Sequence, residues 1–126
     1  MRHGKTEWNE LHKLQGQTDI PLNENGRKMA REAGKRYREI HFDICYCSPL
    51  IRAKETAELV LEGRAVPIVT DDRLMEMCFG DYEGKITDEV MKENPNWDIS
   101  LIMKGNTELA APNGENLSEV RFRVTK

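Results

Sequence analysis

The first nine residues of the chain carry side chains that could bind a phosphate group and accept it. Arg2, His3 and Gly4 are adjacent, and Asn9 follows within the same bend. An arginine guanidinium is a rigid fork of donors that matches phosphate oxygens, and a neutral imidazole can act as a nucleophile. Glycine lets the backbone approach an anion closely, and the amides of a following helix turn can point at it. The pattern indicates a phosphate pocket with a nucleophile inside it.

The composition limits the partners that such a pocket can serve. The chain has 126 residues, enough for a single domain over residues 1–126, and its formal net charge is −3. That charge gives no general attraction to nucleic acid or to an anionic membrane, so we expect neither as a partner. No segment has the length and apolarity of a membrane span, and the polar N-terminus has no signal-peptide pattern. We therefore expect a cytoplasmic protein.

The three cysteines do not indicate a metal site or a disulfide framework. They are odd in number, which is simplest in a reducing compartment. A Cys-x-Cys pair with histidines could hold zinc. However, Cys45 and Cys47 alternate with Ile44 and Tyr46 in a strand-like run, where a free cysteine packs as a small core residue. We therefore expect no metal and no cofactor.

The elements that must position the pocket follow an α/β order. The sequence predicts a helix over 24–39 capped by Asn23, a strand over 42–47, a helix over 50–62 and a strand over 66–70. A strand, a helix and a strand in succession favour a parallel sheet. Ligands bind beyond the carboxyl ends of such strands, which is where Arg52 and Glu76 fall.

The second half of the chain is rich in turns. Residues 79–84 form a loop, Thr87 can cap a short helix that Pro95 ends, and a last helix starts near Asn116. Residues 96–111 show no clean hydrophobic period. We expect them to form a lid-like excursion over the pocket.

Four separated motifs occur in a fixed order along the chain. They are Arg2-His3-Gly4 with Thr6 and Asn9; Ser48-Pro49-Leu50-x-Arg52; Leu74-x-Glu76 with Phe79-Gly80-x-Tyr82-Glu83-Gly84; and Pro112-Asn113-Gly114-Glu115. Over essentially the whole chain they resemble the histidine phosphatase superfamily, also called the phosphoglycerate mutase-like family. The resemblance implies an α/β fold, a three-layer α/β/α arrangement with a mostly parallel sheet, incomplete in this chain.

The resemblance also implies roles for individual residues. His3 is then the phosphoryl acceptor that forms a phosphohistidine, while Arg2 and Arg52 clamp the transferred group. Glu76 is the general acid that protonates the leaving oxygen. Contacts to phosphate or substrate are implied for Arg2, Gly4, Thr6, Asn9, Gln15, Gly16 and Arg52. Two arginine forks and an amide can meet the three equatorial oxygens of a transferring phosphoryl group.

These roles set requirements for protonation. His3 must be neutral at the attacking nitrogen, so its other nitrogen should donate to a backbone carbonyl in the Gly4 turn. Arg2 and Arg52 should lower the pKa of His3, and a bound phosphate should raise it. Glu76 must hold a proton near neutral pH, which partial burial beside the phosphate favours.

Three functions stay open on the sequence alone. The favoured one is hydrolysis of a small phosphorylated metabolite, with water attacking the phosphohistidine. The second is phosphoryl transfer of the phosphoglycerate mutase type, which the short stretch 85–111 disfavours because mutases of the family carry a long insertion there. The third is a non-catalytic remnant that binds phosphate. The assembly is also open, and a homodimer is one candidate.

Two departures from the family pattern predict a chain truncated at both ends and impaired in activity. Family members place an apolar strand directly before Arg-His-Gly, whereas only Met1 precedes Arg2 here. The family also has a second catalytic histidine after the helix that begins here near Asn116, and neither His12 nor His41 is expected to replace it. Losing one electrostatic donor of this kind costs about 10²–10³ in rate.

Overall fold

A two-stranded parallel sheet organises the first half of the fold. The computed structural model describes residues 1–126. Strand β1 (Cys45–Cys47) pairs in parallel with strand β2 (Ile68–Thr70), with Cys45 opposite Ile68 and Cys47 opposite Thr70. The predicted strand–helix–strand order and the α/β class are confirmed. Each strand is shorter than predicted, because only these three residues pair with a neighbouring strand.

Six α-helices make up most of the regular structure. They are α1 (Glu7–Glu10), α2 (Glu24–Arg36), α3 (Ile51–Val60), α4 (Thr87–Glu93), α5 (Ile99–Met103) and α6 (Leu117–Val124). Helix α3 connects the two strands, and single 3-10 turns span Asp72–Leu74 and Gly80–Tyr82. No helix combines the length and the apolarity that crossing a lipid bilayer requires.

Helix α2 packs against α3 and supports the N-terminal bend. The Asn23 side chain accepts a hydrogen bond from the Gly26 amide at 2.8 Å, which is the predicted N-cap. Most of the charged side chains of the helix are exposed. The helix ends at Arg36 rather than at 39, because the chain turns at Tyr37, whose carbonyl accepts a hydrogen bond from Arg64.

The main hydrophobic core is formed by residues of the second half of the chain together with Leu14. Its buried members are Leu14, Met77, Tyr82, Val90, Trp97, Ile102 and Ala111. The rings of Tyr82 and Trp97 meet edge to face with their centroids 5.1 Å apart. The prediction that residues 96–111 form a lid is wrong, because Trp97, Ile102 and Ala111 anchor that stretch in the core. Three widely spaced anchors are too few to show as a period in the sequence.

Helix α4 begins differently from the prediction. Ile86 is its N-cap residue, and no side chain caps the helix. Thr87 is instead the first helical residue, and its amide and hydroxyl both donate to the His12 carbonyl, at 3.0 and 3.2 Å. The helix ends at Glu93, shortly before Pro95, as that proline predicts.

One face of the sheet is uncovered. Tyr46 lies opposite Val69 in the ladder, and both side chains are exposed, as is that of Ile44. Apolar side chains on a sheet face ordinarily pack against a further layer of helices. The three-layer arrangement is therefore incomplete in this chain.

Candidate active site

His3 is oriented by one backbone hydrogen bond. Its Nδ1 lies 2.6 Å from the carbonyl oxygen of Gly4. A carbonyl oxygen can only accept, so Nδ1 carries the proton and Nε2 keeps its lone pair. The predicted donation to the Gly4 turn is confirmed, and the nitrogen that remains is the one suited to attack phosphorus.

Burial and nearby cations keep the His3 ring neutral. Desolvation is the largest cause that lowers the pKa of His3 below its ordinary value, and the charges of Arg52 and Arg2 lower it further. The Gly4 hydrogen bond and the Glu76 charge act in the opposite direction. The neutral ring that a nucleophile requires is therefore the main form at pH 7.

Buried contacts lock the bend that carries His3. The Gly4 amide donates to the Thr56 hydroxyl on α3 at 2.9 Å, and that hydroxyl donates to the Arg52 carbonyl at 2.7 Å. Gly4 also lies so close to α2 that a Cβ atom on it would be 2.6 Å from the Gly26 carbonyl oxygen. Only glycine allows this approach. Two helices thus hold the bend at His3 from two sides.

Arg52 is almost fully buried, with 1% of its surface exposed. Its Nη1 donates to the Thr18 carbonyl at 2.8 Å, and its Nη2 donates to the Gly16 carbonyl. A guanidinium has five N–H donors, so three remain after these two bonds. One of them is the buried Nε, which has no partner. An unpaired buried donor is costly, and a phosphate oxygen is the kind of acceptor that it lacks.

Glu83 fixes the loop that holds Arg52, a role that sequence reasoning missed. Its carboxylate accepts from the Thr18 amide at 2.8 Å and from the Thr18 hydroxyl, and from the Phe79 amide at 2.9 Å. Burial raises the pKa of Glu83, but these hydrogen bonds lower it more, so the group stays ionised. The signal that could have found it is its place in the third motif, Phe79-Gly80-x-Tyr82-Glu83-Gly84.

Thr6 and Gln15 contact each other. Thr6 is fully buried as the N-cap of α1, and its hydroxyl donates to the Gln15 side-chain oxygen at 2.6 Å. The Asn9 side-chain oxygen accepts from the Thr6 amide at 3.0 Å, which leaves the Asn9 amide nitrogen as a donor. The structure therefore brings Asn9 to the site, while Thr6 and Gln15 support the turn behind it.

A cavity of about 570 Å³ opens beside His3. Four predicted site residues line it together with three basic side chains: Arg2, His3, Gly4, Asn9, Lys5, His12 and Lys13. Asp88 is the one carboxylate on its wall, so the cavity is locally cationic on a chain of net charge −3. Sequence reasoning missed the basic side chains because no motif contains them. Arg52, Gly16 and Glu76 do not line this cavity, and no cluster of His, Cys, Asp or Glu could hold a metal ion.

Glu76 stands apart from the buried groups. Its carboxylate accepts a hydrogen bond from the Met77 amide at 2.7 Å, and its side chain is exposed. The expected partial burial is wrong, because Met77 is the buried residue of this segment and Glu76 beside it is exposed. Burial lowers the pKa of His3 and of Arg52, and the Glu76 charge acts to raise both. Glu76 is thus within electrostatic reach of His3.

Known proteins match the chain from end to end. The family model of the histidine phosphatase superfamily (branch 1) matches residues 1–126. The uncharacterized phosphatase PhoE of Bacillus subtilis (strain 168) is 46% identical over 124 residues, which are 98% of this chain and 58% of PhoE. The probable phosphoglycerate mutase GpmB of Escherichia coli O1:K1 / APEC is 33% identical over 124 residues, which are 98% of this chain and 57% of GpmB.

A solved structure agrees with this result. Bacillus stearothermophilus YhfR matches with a TM-score of 0.82 at 41% sequence identity, covering 97% of this chain and 60% of YhfR. The chain thus spans somewhat under two thirds of the length of the proteins it matches. Since the family model covers every residue of the chain, including the bend at His3, the chain belongs to the histidine phosphatase superfamily (branch 1).

Proposed function

We propose that the protein hydrolyses phosphomonoesters of small metabolites through a phosphohistidine on His3. The observation that carries the proposal is the hydrogen bond from Nδ1 to the Gly4 carbonyl, which leaves Nε2 unprotonated. Arg2 and Asn9 line the cavity beside the ring, and Arg52 retains three N–H donors. The name of PhoE, a phosphatase of the same family, supports the same reaction.

In the first step, Nε2 of His3 attacks phosphorus, and the P–O bond to the leaving alcohol breaks. The Glu76 carboxyl gives its proton to the departing oxygen, so the products are phosphohistidine, a neutral alcohol and the Glu76 carboxylate. Arg2 and Arg52 neutralise the charge on the equatorial oxygens. The proton matters most for alkyl esters, because an alkoxide is a poor leaving group.

In the second step, water attacks the phosphohistidine and the N–P bond breaks. The Glu76 carboxylate takes a proton from the attacking water, and inorganic phosphate forms. Nε2 of His3 recovers its lone pair, and the carboxyl is protonated for the next turnover. One ester and one water thus give one alcohol and one phosphate.

Hydrolysis is favoured over phosphoryl transfer between two positions of a substrate. A mutase must keep water away from the phosphohistidine while the substrate reorients. Residues 96–111 pack into the core through Trp97 and Ile102 and contribute nothing to the cavity wall. With a phosphoglycerate as substrate, we expect release of inorganic phosphate. Exchange of phosphate between positions without release would favour the mutase.

The test is hydrolysis of p-nitrophenyl phosphate by this chain and by its His3→Ala variant. We expect His3→Ala to lower kcat/KM by about 10³-fold or more, because the variant has no phosphoryl acceptor. His41→Ala is the matched control, since His41 is exposed and pairs with Asp43 away from the cavity. Undiminished turnover in His3→Ala, with the same product, would sink the proposal.

We also propose that this chain turns over more slowly than its longer relatives. Besides His3, only one histidine lines the cavity, and that residue, His12, is exposed. A missing donor to the transferring group costs about 10²–10³ in rate. Product release, measured beside a titration with inorganic phosphate, separates a slow enzyme from a protein that only binds phosphate. The Tm of either protein should rise when phosphate binds, but only the enzyme releases product. No Tm shift at all would contradict the phosphate pocket itself.

A further inference from the structure

The position of Glu76 has to be set by groups outside its own segment. Its carboxylate has one hydrogen bond, which comes from the amide of the next residue. Residues 75–79 belong to no helix or strand, so no regular backbone ladder holds them. A catalytic acid is effective only when it is held in a productive geometry.

Arg123, on the last helix, binds one carbonyl group in this segment and one in the 3-10 turn before it. Its Nη1 donates to the Arg73 carbonyl at 2.8 Å, and its Nη2 donates to the Glu76 carbonyl at 3.0 Å. The planar guanidinium fixes the directions of both bonds, which a flexible ammonium could not do. The backbone on the N-terminal side of Glu76 is thereby attached to α6.

Glu115 holds the guanidinium and also secures the other end of the segment. It accepts from Arg123 Nε at 2.9 Å and from Arg123 Nη2 at 3.1 Å. It also accepts from the Cys78 amide at 2.8 Å, while its own amide donates to the Cys78 carbonyl at 2.8 Å. Burial raises the pKa of Glu115, but the bonds from Arg123 and Cys78 lower it more, so the pair is charged at neutral pH.

Gln17 closes the network from the opposite side. Its side-chain nitrogen donates to the Glu76 carbonyl at 3.2 Å and to the Glu115 carboxylate at 3.3 Å. Gln17 lies between Gly16 and Thr18, whose carbonyls accept from Arg52. The segment of the acid and the loop of the phosphate clamp therefore share one set of hydrogen bonds.

We propose that Arg123, clamped by Glu115, is a positioning residue that holds Glu76 toward the leaving oxygen. This inference rests on the proposed function, in which Glu76 is the general acid. Arg123 contacts two carbonyls and one carboxylate. Its effect on catalysis is therefore expected to pass through the backbone that it binds.

The leaving group of the substrate provides the test. Glycerol 3-phosphate needs a proton on its departing oxygen, whereas p-nitrophenolate leaves without one. We expect Arg123→Ala to lower kcat/KM for glycerol 3-phosphate about 10–100-fold more than for p-nitrophenyl phosphate, because general acid catalysis is worth about 10²–10⁴-fold. Arg121→Ala is the matched control, since Arg121 is exposed on the same helix and should change neither rate.

A double-mutant cycle shows whether Arg123 acts through Glu76. On glycerol 3-phosphate, we expect Glu76→Gln with Arg123→Ala to be no slower than Glu76→Gln alone. Additive losses, or an equal loss of Arg123→Ala on both substrates, would overturn the positioning role. If Glu76→Gln itself lowers kcat/KM equally for both substrates, the general acid assignment is also wrong. The failure of the positioning role and the failure of the proposed function are therefore distinguishable.

An exchange measurement covers the case in which a variant is poorly active. The Met77 amide donates to the Glu76 carboxylate, so its hydrogen exchange reports on the place of that side chain. We expect faster exchange at Met77 in Arg123→Ala and in the milder Glu115→Gln, and no change in Arg121→Ala. Glu115→Gln keeps an acceptor for Cys78 and loses only the charge that holds Arg123. Unchanged exchange in both variants would overturn the proposal.

Discussion

The proposed nucleophile and the proposed acid of this site are held by two different kinds of structure. His3 sits on a bend whose backbone is packed against α2 and hydrogen-bonded to the buried Thr56 hydroxyl. Glu76 is exposed on an irregular segment, and partly exposed polar side chains of Glu115 and Arg123 hold it. One group is fixed by the packed backbone, and the other by a network of side chains.

This difference predicts how the two parts of the site respond to substitution. We call the bend around His3 the buried half of the site and the segment around Glu76 the acid half. Breaking a buried hydrogen bond leaves an unpaired donor, so changes around His3 should reduce stability as well as activity. Polar pairs near the surface contribute much less to folding, so changes around Glu76 should act mainly on the chemistry. The two kinds of loss can be measured separately, as Tm and as kcat/KM.

The largest effect in the buried half is expected for Arg52→Lys. Lysine offers one point charge and cannot hold two loop carbonyls while it meets a phosphate, so we expect kcat/KM to fall about 10²–10³-fold. The fall should be equal for alkyl and aryl phosphates, unlike that of Arg123→Ala. Arg64→Lys is the control, because Arg64 also donates to two carbonyls, those of Tyr37 and Ile40, far from the cavity. A fall confined to alkyl phosphates would place Arg52 on the side of the acid.

A smaller effect is expected for Thr56→Val, which keeps the shape of the side chain. It removes the acceptor of the Gly4 amide, and a buried donor left unpaired costs about 1–3 kcal/mol of unfolding free energy. Thr125→Val is the control, since the Thr125 hydroxyl donates in the same way to the Arg121 carbonyl but is exposed. Equal losses of Tm in the two variants would contradict the contrast between the two halves.

The smallest effect concerns the pH dependence of His3. Its pKa lies below the ordinary 6.5, chiefly through burial, so the ring stays neutral until the pH falls under that value. In this window the unfolded chain binds more protons, so stability and kcat/KM both decrease as the pH is lowered from 6.5. Arg2→Gln should move the midpoint upward, because one of the lowering charges is gone. An NMR titration of the ring with a midpoint above 6.5 would contradict this.

The sequence predicted the buried half better than the acid half. The hydrogen bond between His3 and Gly4 follows from what a neutral nucleophile needs, and the strand–helix–strand order follows from short apolar runs between turn residues. Each of these is a local pattern, and local patterns are visible in one sequence.

What the sequence did not show depends on contacts between distant positions. Arg123 and Glu83 look like ordinary charged surface residues until the fold brings them to Glu76 and Thr18. Trp97 lies in a stretch without a hydrophobic period, and for that reason the sequence predicts a lid rather than a core segment there. The exposure of Glu76 could not be predicted either, because the position of Met77 in the core decides it.

The most direct test of the account is a search for the covalent intermediate. The chain is incubated with a ³²P-labelled phosphomonoester, quenched in alkali and digested, and the labelled peptide is sequenced. A phosphohistidine mechanism predicts a label that is stable to alkali and labile to acid, on the peptide that contains His3, and absent from His3→Ala. A label on any other residue, or one that persists in His3→Ala, would contradict it.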